Sequence, residues 1–292
     1  MQTSADKKGV GSCEKEVSSA EITGVYRCVI PEFSGDTLSD QLVSDAGRYR
    51  ANAFIEKYQY PLVNQKISLR AGYCLNEAVR LLSSDHYDAC ISLASGFSLL
   101  LYYIAGKTKN MGSIQYFDTD FAHMIQERQQ RMSRVKSLDQ AVLSTIKSKA
   151  CDVEKVYQDH VPLKTIFPSC KRPICIAEGL TYFLSPGCVE WLIKQIGAYE
   201  HSAAILDYWP DDMLQTSTLF ARVFRDLNQG MILEPLKSFW SIETITHFRN
   251  QFSHVNDYSL PEVEKILSSQ PRKPEMTDPN QYFPLRMITG EK

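Results

Sequence analysis

The sequence predicts an α/β fold: a doubly wound, mainly parallel sheet covered by helices on both faces, with a helical elaboration at its N-terminal side. Three observations predict it. Short apolar runs (Ala89–Ala94, Pro173–Ala177 and Ala203–Asp207) alternate with segments of helical periodicity. The runs are apolar at successive residues, as strands buried on both faces require. No internal repeat and no Pro/Gly/Ser-rich linker divides the 292 residues, so a single domain is expected.

Residues 1–20 are polar, lack the apolar stretch of a secretion signal and read as a flexible leader. Residues 21–85 read as a helical cap. Within it, 36–58 places Leu38, Leu42, Ala46, Tyr49, Ala53 and Tyr58 at helical spacing, and 66–84 suggests a second helix that has to accommodate Gly72. The core, 86–292, opens with the strand Ala89–Ala94. A second strand covers Ser113–Asp118, and Asp120 stands where it can cap the following helix. Ser148–Cys151 and Pro173–Ala177 supply two more strands. Ser185-Pro186 is a helix N-cap followed by proline at the first helical position. Ala203–Asp207 is a further strand, followed by a helix over 211–228. Ser259 with Glu262 three residues later forms a capping box. The last strand, 281–288, contains Pro284, which favours an edge or a bulge.

Composition narrows the function. With 32 basic against 34 acidic residues the net charge is −2, so nothing draws the chain to nucleic acid or an anionic membrane. Eight cysteines without a Cys-x-x-Cys pair read as reduced thiols in a cytoplasmic protein, with neither a disulfide framework nor a metal site. The uncharged stretch 89–106 has the minimum length for a membrane span. Ser92, Ser95, Gly96 and Ser98 interrupt it, as a buried strand, a turn and a helix start would.

In parallel sheets ligands bind beyond the carboxyl ends of the strands. After the first strand, Gly96 with Ala94 and Ser95 permits close backbone approach to a ligand, or makes an ordinary tight turn. After the second, Asp118 and Asp120 point to the same side. Asp120, 24 positions beyond Gly96, could accept ribose hydroxyls or cap a helix. Asp152 could accept an adenine amine or be a solvated loop acid. Glu178 directly follows the apolar run PICIA, where a carboxylate is costly unless it is paired or reaches a cleft. Gly179 beside it allows a sharp turn.

Taken together and in order, the segments SLRAGY, ISLASGF, YFDTDF, ACDVEKV and IAEGLTYFL, from about Ser68 to Leu184, resemble the leucine carboxyl methyltransferase family. That family includes the tetracenomycin-type polyketide O-methyltransferases. The resemblance implies a class I methyltransferase fold with a seven-stranded sheet and a Rossmann-like core. It implies S-adenosylmethionine as cofactor and S-adenosylhomocysteine as product. Arg70 would then pair with the cofactor's carboxylate. Ala94 and Gly96 would lie under its methionine moiety, and Asp120 would hold the ribose. Asp152 and the backbone of Val153 would recognise adenine, with Glu178 near the amino group. The chain departs from the pattern at four places: Ala94 replaces a glycine, Ser98 an aspartate, Gly72 a basic residue and Phe183 a tyrosine.

The implied activity is O-methylation of a carboxylate or hydroxyl on a small molecule of the polyketide or secondary-metabolite type. The alternatives are methylation of a protein C-terminal carboxylate and a methyltransferase fold that has lost methyl transfer. The candidates for contact with the acceptor are Tyr182 and, at the end of the Ala203–Asp207 strand, Asp207, Tyr208 and Trp209. No motif marks a catalytic base among His123, His160, His201, His247 and His254.

Overall fold

The computed structural model describes residues 18–58, 62–109, 111, 113–212, 225, 234–268 and 284–292. Strands β1 (Ala89–Ser92), β2 (Gln115–Asp120), β3 (Ile146–Ala150), β4 (Pro173–Ala177), β5 (Ala203–Tyr208), β6 (His254–Ser259) and β7 (Arg286–Glu291) form one sheet. Their order is β3-β2-β1-β4-β5-β7-β6. The first five are parallel, whereas β7 runs antiparallel between β5 and β6. This is the mainly parallel, seven-stranded α/β architecture expected.

Every residue of β1, β4 and β5 is buried, as a sheet covered on both faces demands. Successive side chains enter two different cores. Cys90, Ile174, Ile176, Ala203 and Ile205 pack under helices α4 (Leu62–Leu82), α5 (Leu100–Thr108) and α12 (Leu260–Leu267). Ile91, Cys175, Ala177, Ala204 and Leu206 pack on the other face. There they meet α8 (Val153–Gln158), α9 (Leu163–Ile166), α10 (Pro186–Gly197) and α11 (Ile242–Gln251). The uncharged stretch 89–106 is accordingly β1, a turn and α5. No helix among the described residues is long and apolar enough to cross a membrane.

Three shorter helices precede the core: α1 (Ser19–Arg27), α2 (Pro31–Ser34) and α3 (Asp45–Tyr58). The single helix expected over 36–58 is in fact broken. The Asp36 carboxylate accepts from the amides of Leu38 (3.1 Å) and Ser39 (3.0 Å), which holds a separate 3-10 turn at Ser39–Leu42. Ser44 Oγ then accepts from Gly47 N at 3.1 Å and starts α3. Two local side-chain acceptors outcompete a continuous helix here.

The other strand boundaries shift as well. β2 runs on through Asp120, so Phe121 rather than Asp120 is the N-cap residue of α6 (Ala122–Met132). β3 starts at Ile146 and ends at Ala150. β7 begins two residues after Pro284, so the proline leaves every ladder amide intact and the strand lies inside the sheet. On that side of the sheet the edge position belongs to β6. Most of the helix expected over 211–228 and most of the leader lie outside the described residues. Ser19 and Ala20, at the end of that leader, open α1.

Candidate functional site

The carboxyl ends of β1 to β4 open into one cavity of about 500 Å³, within the ~300–1,000 Å³ usual for small-ligand sites. Its walls are the turn after β1, Asp120 and Phe121, the segment Cys151–Glu154, and the turn after β4. Ser18–Ala20, Thr23, Gly24 and Arg27 of the α1 region roof it, together with Glu234, Pro235 and Lys237. Arg70, Ala94, Gly96, Asp120, Asp152, Val153 and Glu178, all expected at a ligand site, line this cavity, as does Tyr182.

The turn after β1 has two left-handed residues, Ala94 (φ 52°) and Gly96 (φ 54°). Gly96 N donates to Asp120 Oδ2 at 2.7 Å, and Phe121 N donates to Asp120 Oδ1 at 2.7 Å. Asp120 therefore secures the turn instead of capping α6. Burial raises its pKa, against the pull of those two amides. Ser98 Oγ accepts from Leu100 N at 3.0 Å, so the residue replacing the family's aspartate supports the start of α5. Asp118, the other candidate at the β2 end, is consumed structurally. It pairs with the buried Arg128 and accepts from Ser95 Oγ. Arg128 Nη1 also donates to Gly96 O at 3.3 Å, a brace that had no signal in the sequence.

Alanine in the left-handed region costs about 1–2 kcal/mol of local strain. Glycine would relieve it while losing roughly 0.5–1 kcal/mol to backbone entropy. Ala94→Gly is therefore expected to be no less stable than wild type in urea unfolding. A substitution at Gly96 has the opposite outlook. A Cβ there would lie 2.8 Å from Ala20 Cβ, in addition to the backbone strain, so Gly96→Ala should push α1 off the turn and lower stability by about 1–3 kcal/mol.

Opposite the turn lies a buried charge cluster. Arg70 Nε donates to Glu178 Oε1 (3.1 Å), and its Nη1 donates to the Tyr182 hydroxyl (2.9 Å) and Asp207 Oδ2 (3.2 Å). Arg27, from α1, donates through Nη1 to the same Glu178 oxygen and through Nε to Asp36 Oδ2 at 3.2 Å. Burial works against both cations. For Arg27, Glu178 and then Asp36 outweigh it; for Arg70, Tyr182, Asp207 and Glu178 do, so both pKa values rise. Arg27 was not visible as a site residue. Its partner Glu178 lies 151 positions away, and nothing around Arg27 distinguishes it from any helix arginine.

Glu178 Oε2 and the Nη2 atoms of both arginines have no hydrogen-bond partner among the described residues. Asp152 caps α8 by accepting from Lys155 N at 3.1 Å through Oδ1 while still lining the cavity. The ligand and loop roles weighed for it therefore coexist.

Three expected acceptor contacts lie elsewhere: Asp207 is fully buried and does not line the cavity, and neither do the two aromatic residues that follow it. Tyr208 is fully buried, stacks on Trp240 at 4.6 Å and donates to Asp257. Trp209 stacks at 4.6 Å on Tyr182, behind the cavity wall. Tyr208 enters the core on one face of the sheet and Trp209 the core on the other, so neither side chain faces the opening. Of the five histidines weighed as bases, His123 alone lines the cavity. It sits exposed at the rim, stacked on Phe121 at 5.7 Å. Burial pushes the thiol of Cys151, also on the wall, up to about 11, so it stays protonated near neutrality.

The fold is shared with proteins of known structure. A Thermobifida fusca protein provisionally assigned as a methyltransferase superposes with a TM-score of 0.64 at 13% identity, over 95% of this chain and 96% of that one. A DUF574 family protein from Streptomyces avermitilis gives 0.60 at 9% identity, over 96% and 98%. At such identities the likeness is one of fold, that of the class I methyltransferases. No family model matches the chain, and no curated protein matches it.

Proposed function

We propose that this chain is an S-adenosylmethionine-dependent O-methyltransferase whose acceptor is a small molecule bearing a carboxylate. The observation that carries this reading is the convergence of seven expected positions, from five segments of the chain, on one cavity of the right size. The charge cluster fits the cofactor. Two guanidiniums face three carboxylates, Asp36, Glu178 and Asp207, leaving one net negative charge when all are ionised. A sulfonium amino acid carries one net positive charge, whereas its thioether product is neutral overall. The Nη2 atoms of Arg70 and Arg27 can receive its carboxylate, and Glu178 Oε2 its ammonium. Asp120 would hold the ribose, the backbone at Ala94 and Gly96 would pass beneath the methionine moiety, and Asp152 with Val153 would receive adenine.

Bound there, S-adenosylmethionine supplies an electrophilic methyl group. The task left to the protein is alignment and exclusion of water. A phenol or alcohol needs a positioned base. Among the described residues the inner cavity offers no imidazole, and its thiol is protonated. A carboxylate is already ionised at neutral pH and needs none. The roof supports a small acceptor. Ser19 N donates to Glu234 at 3.1 Å across the opening, and the enclosed space has to hold the cofactor as well. The seven described cysteines are free thiols, which supports a reducing, cytoplasmic setting.

Isothermal titration with S-adenosylmethionine and S-adenosylhomocysteine tests the cofactor. Methyl-labelled cofactor offered with matched carboxylic acids and phenols tests the acceptor. Binding of both nucleosides and label on the acids is expected. No binding by a folded protein refutes the reading, and label on phenols alone refutes the carboxylate. Asp120→Ala, which frees Gly96 N, should weaken cofactor binding about tenfold in the same titration.

A further inference from the structure

We propose that Asp207 is a positioning residue: from behind the cavity wall it fixes the Arg70 guanidinium and the Glu178–Gly179 turn in the arrangement that receives the amino-acid end of the cofactor. This rests on the cofactor reading above. Asp207 lies at the carboxyl end of β5, fully buried, and does not line the cavity. Its Oδ2 accepts from Arg70 Nη1 at 3.2 Å and its Oδ1 from Gly179 N at 2.6 Å. One carboxylate thus ties three elements together: β5, the turn after β4, and α4.

The tie sits where nothing else has room. Gly179 has a φ of 73°, and a Cβ on it would lie 3.1 Å from Arg70 Nη2 and 3.3 Å from the Tyr182 hydroxyl. The turn and the guanidinium therefore share one tight position, and the group that pulls on both sets their separation. Asp207 does this without touching ligand. The groups around it are few. Arg70 and Cys74 face it from α4, the thiol held protonated by burial. Glu178 and Tyr182 face it from the segment after β4, and Arg27 stands on the far side of Glu178.

Burial, opposed by Arg70 and the Gly179 amide, pushes Asp207 up to about 6. Below that pH the carboxyl is neutral and Arg70 keeps only Glu178 as a charged partner, so cofactor affinity should fall as pH falls. The test is calorimetric titration of S-adenosylmethionine against wild type and Asp207→Asn between about pH 5 and pH 8, with circular dichroism reporting the fold. Wild type should lose about tenfold in affinity through a midpoint near 6 while remaining folded. Asp207→Asn should bind about tenfold more weakly at pH 8 and show no midpoint near 6. Asp120, also raised by burial but on the opposite wall, keeps its own contribution in the variant.

Should Asp207→Asn fail to fold, the same profile is taken on Asp120→Asn, which keeps Asp207: a midpoint near 6 that persists there supports the positioning role, and its disappearance overturns it. A flat wild-type profile, or a folded Asp207→Asn protein with wild-type affinity and midpoint, overturns the positioning role and leaves the cofactor reading standing. No binding by wild type at any pH overturns both.

Discussion

Glu178→Ala is expected to lower the unfolding free energy by about 3–5 kcal/mol and to weaken S-adenosylmethionine binding at least tenfold. The stability loss has a specific origin. One carboxylate oxygen accepts from two buried guanidiniums, Arg27 and Arg70, brought together from α1 and α4. Each cation keeps one acid, Asp36 or Asp207, but the acceptor they share and the charge facing the cavity are lost. Glu178→Gln separates the two effects. It preserves the side-chain shape and so more of the stability, while losing the charge that receives an ammonium. Urea unfolding and calorimetry on both variants check this. An alanine variant that binds cofactor like wild type would remove Glu178 from the site.

The second large effect is at Gly72. In an isolated helix, Gly72→Ala should gain about 1 kcal/mol. Here a Cβ would fall 2.0 Å from Phe33 O and 2.9 Å from Phe33 C, where α2 crosses α4. Those are backbone atoms, so no rotamer change relieves the clash, and the helices have to separate. A net loss of about 3 kcal/mol or more is expected in thermal unfolding. Because Asp36 follows α2 directly and holds Arg27, cofactor affinity should fall in the same variant. A stabilised Gly72→Ala protein would contradict the packing.

These two residues show where the sequence was informative and where it was not. Glu178 stood out because a charge directly after a fully apolar strand demands an explanation. Gly72 was visible only as an anomaly within a helical pattern, since its cause is a backbone crossing from a distant segment. β4 is delimited to the residue and α10 opens at the expected cap, because apolar runs and proline punctuation are local signals. The capping box at Ser259 also forms: the Glu262 carboxylate accepts from Ser259 N at 2.7 Å. By contrast β6, HVNDYS, was missed. An edge strand half open to solvent shows neither a continuous apolar run nor a clean alternation. α11 was missed too, its β-branched residues diluting the helical signal. The ligand-facing acids were legible as strand-end residues, whereas Arg27, Arg128 and the bracing role of Asp207 depend on long-range ion pairs that leave no local trace.

The position of β7 bears on how the protein is made. On the ribosome, β5 emerges long before Arg286–Glu291, the segment that pairs with it and with β6 on the other side. Until then every residue of AAILDY, destined for burial, borders an unzipped edge, the kind of surface that templates association between nascent chains. The cavity walls up to Lys237 are translated while the sheet is still open. Synthesis therefore passes through an interval in which the ligand-side framework exists without the strand that closes its sheet, and β5 is most exposed to association in that interval.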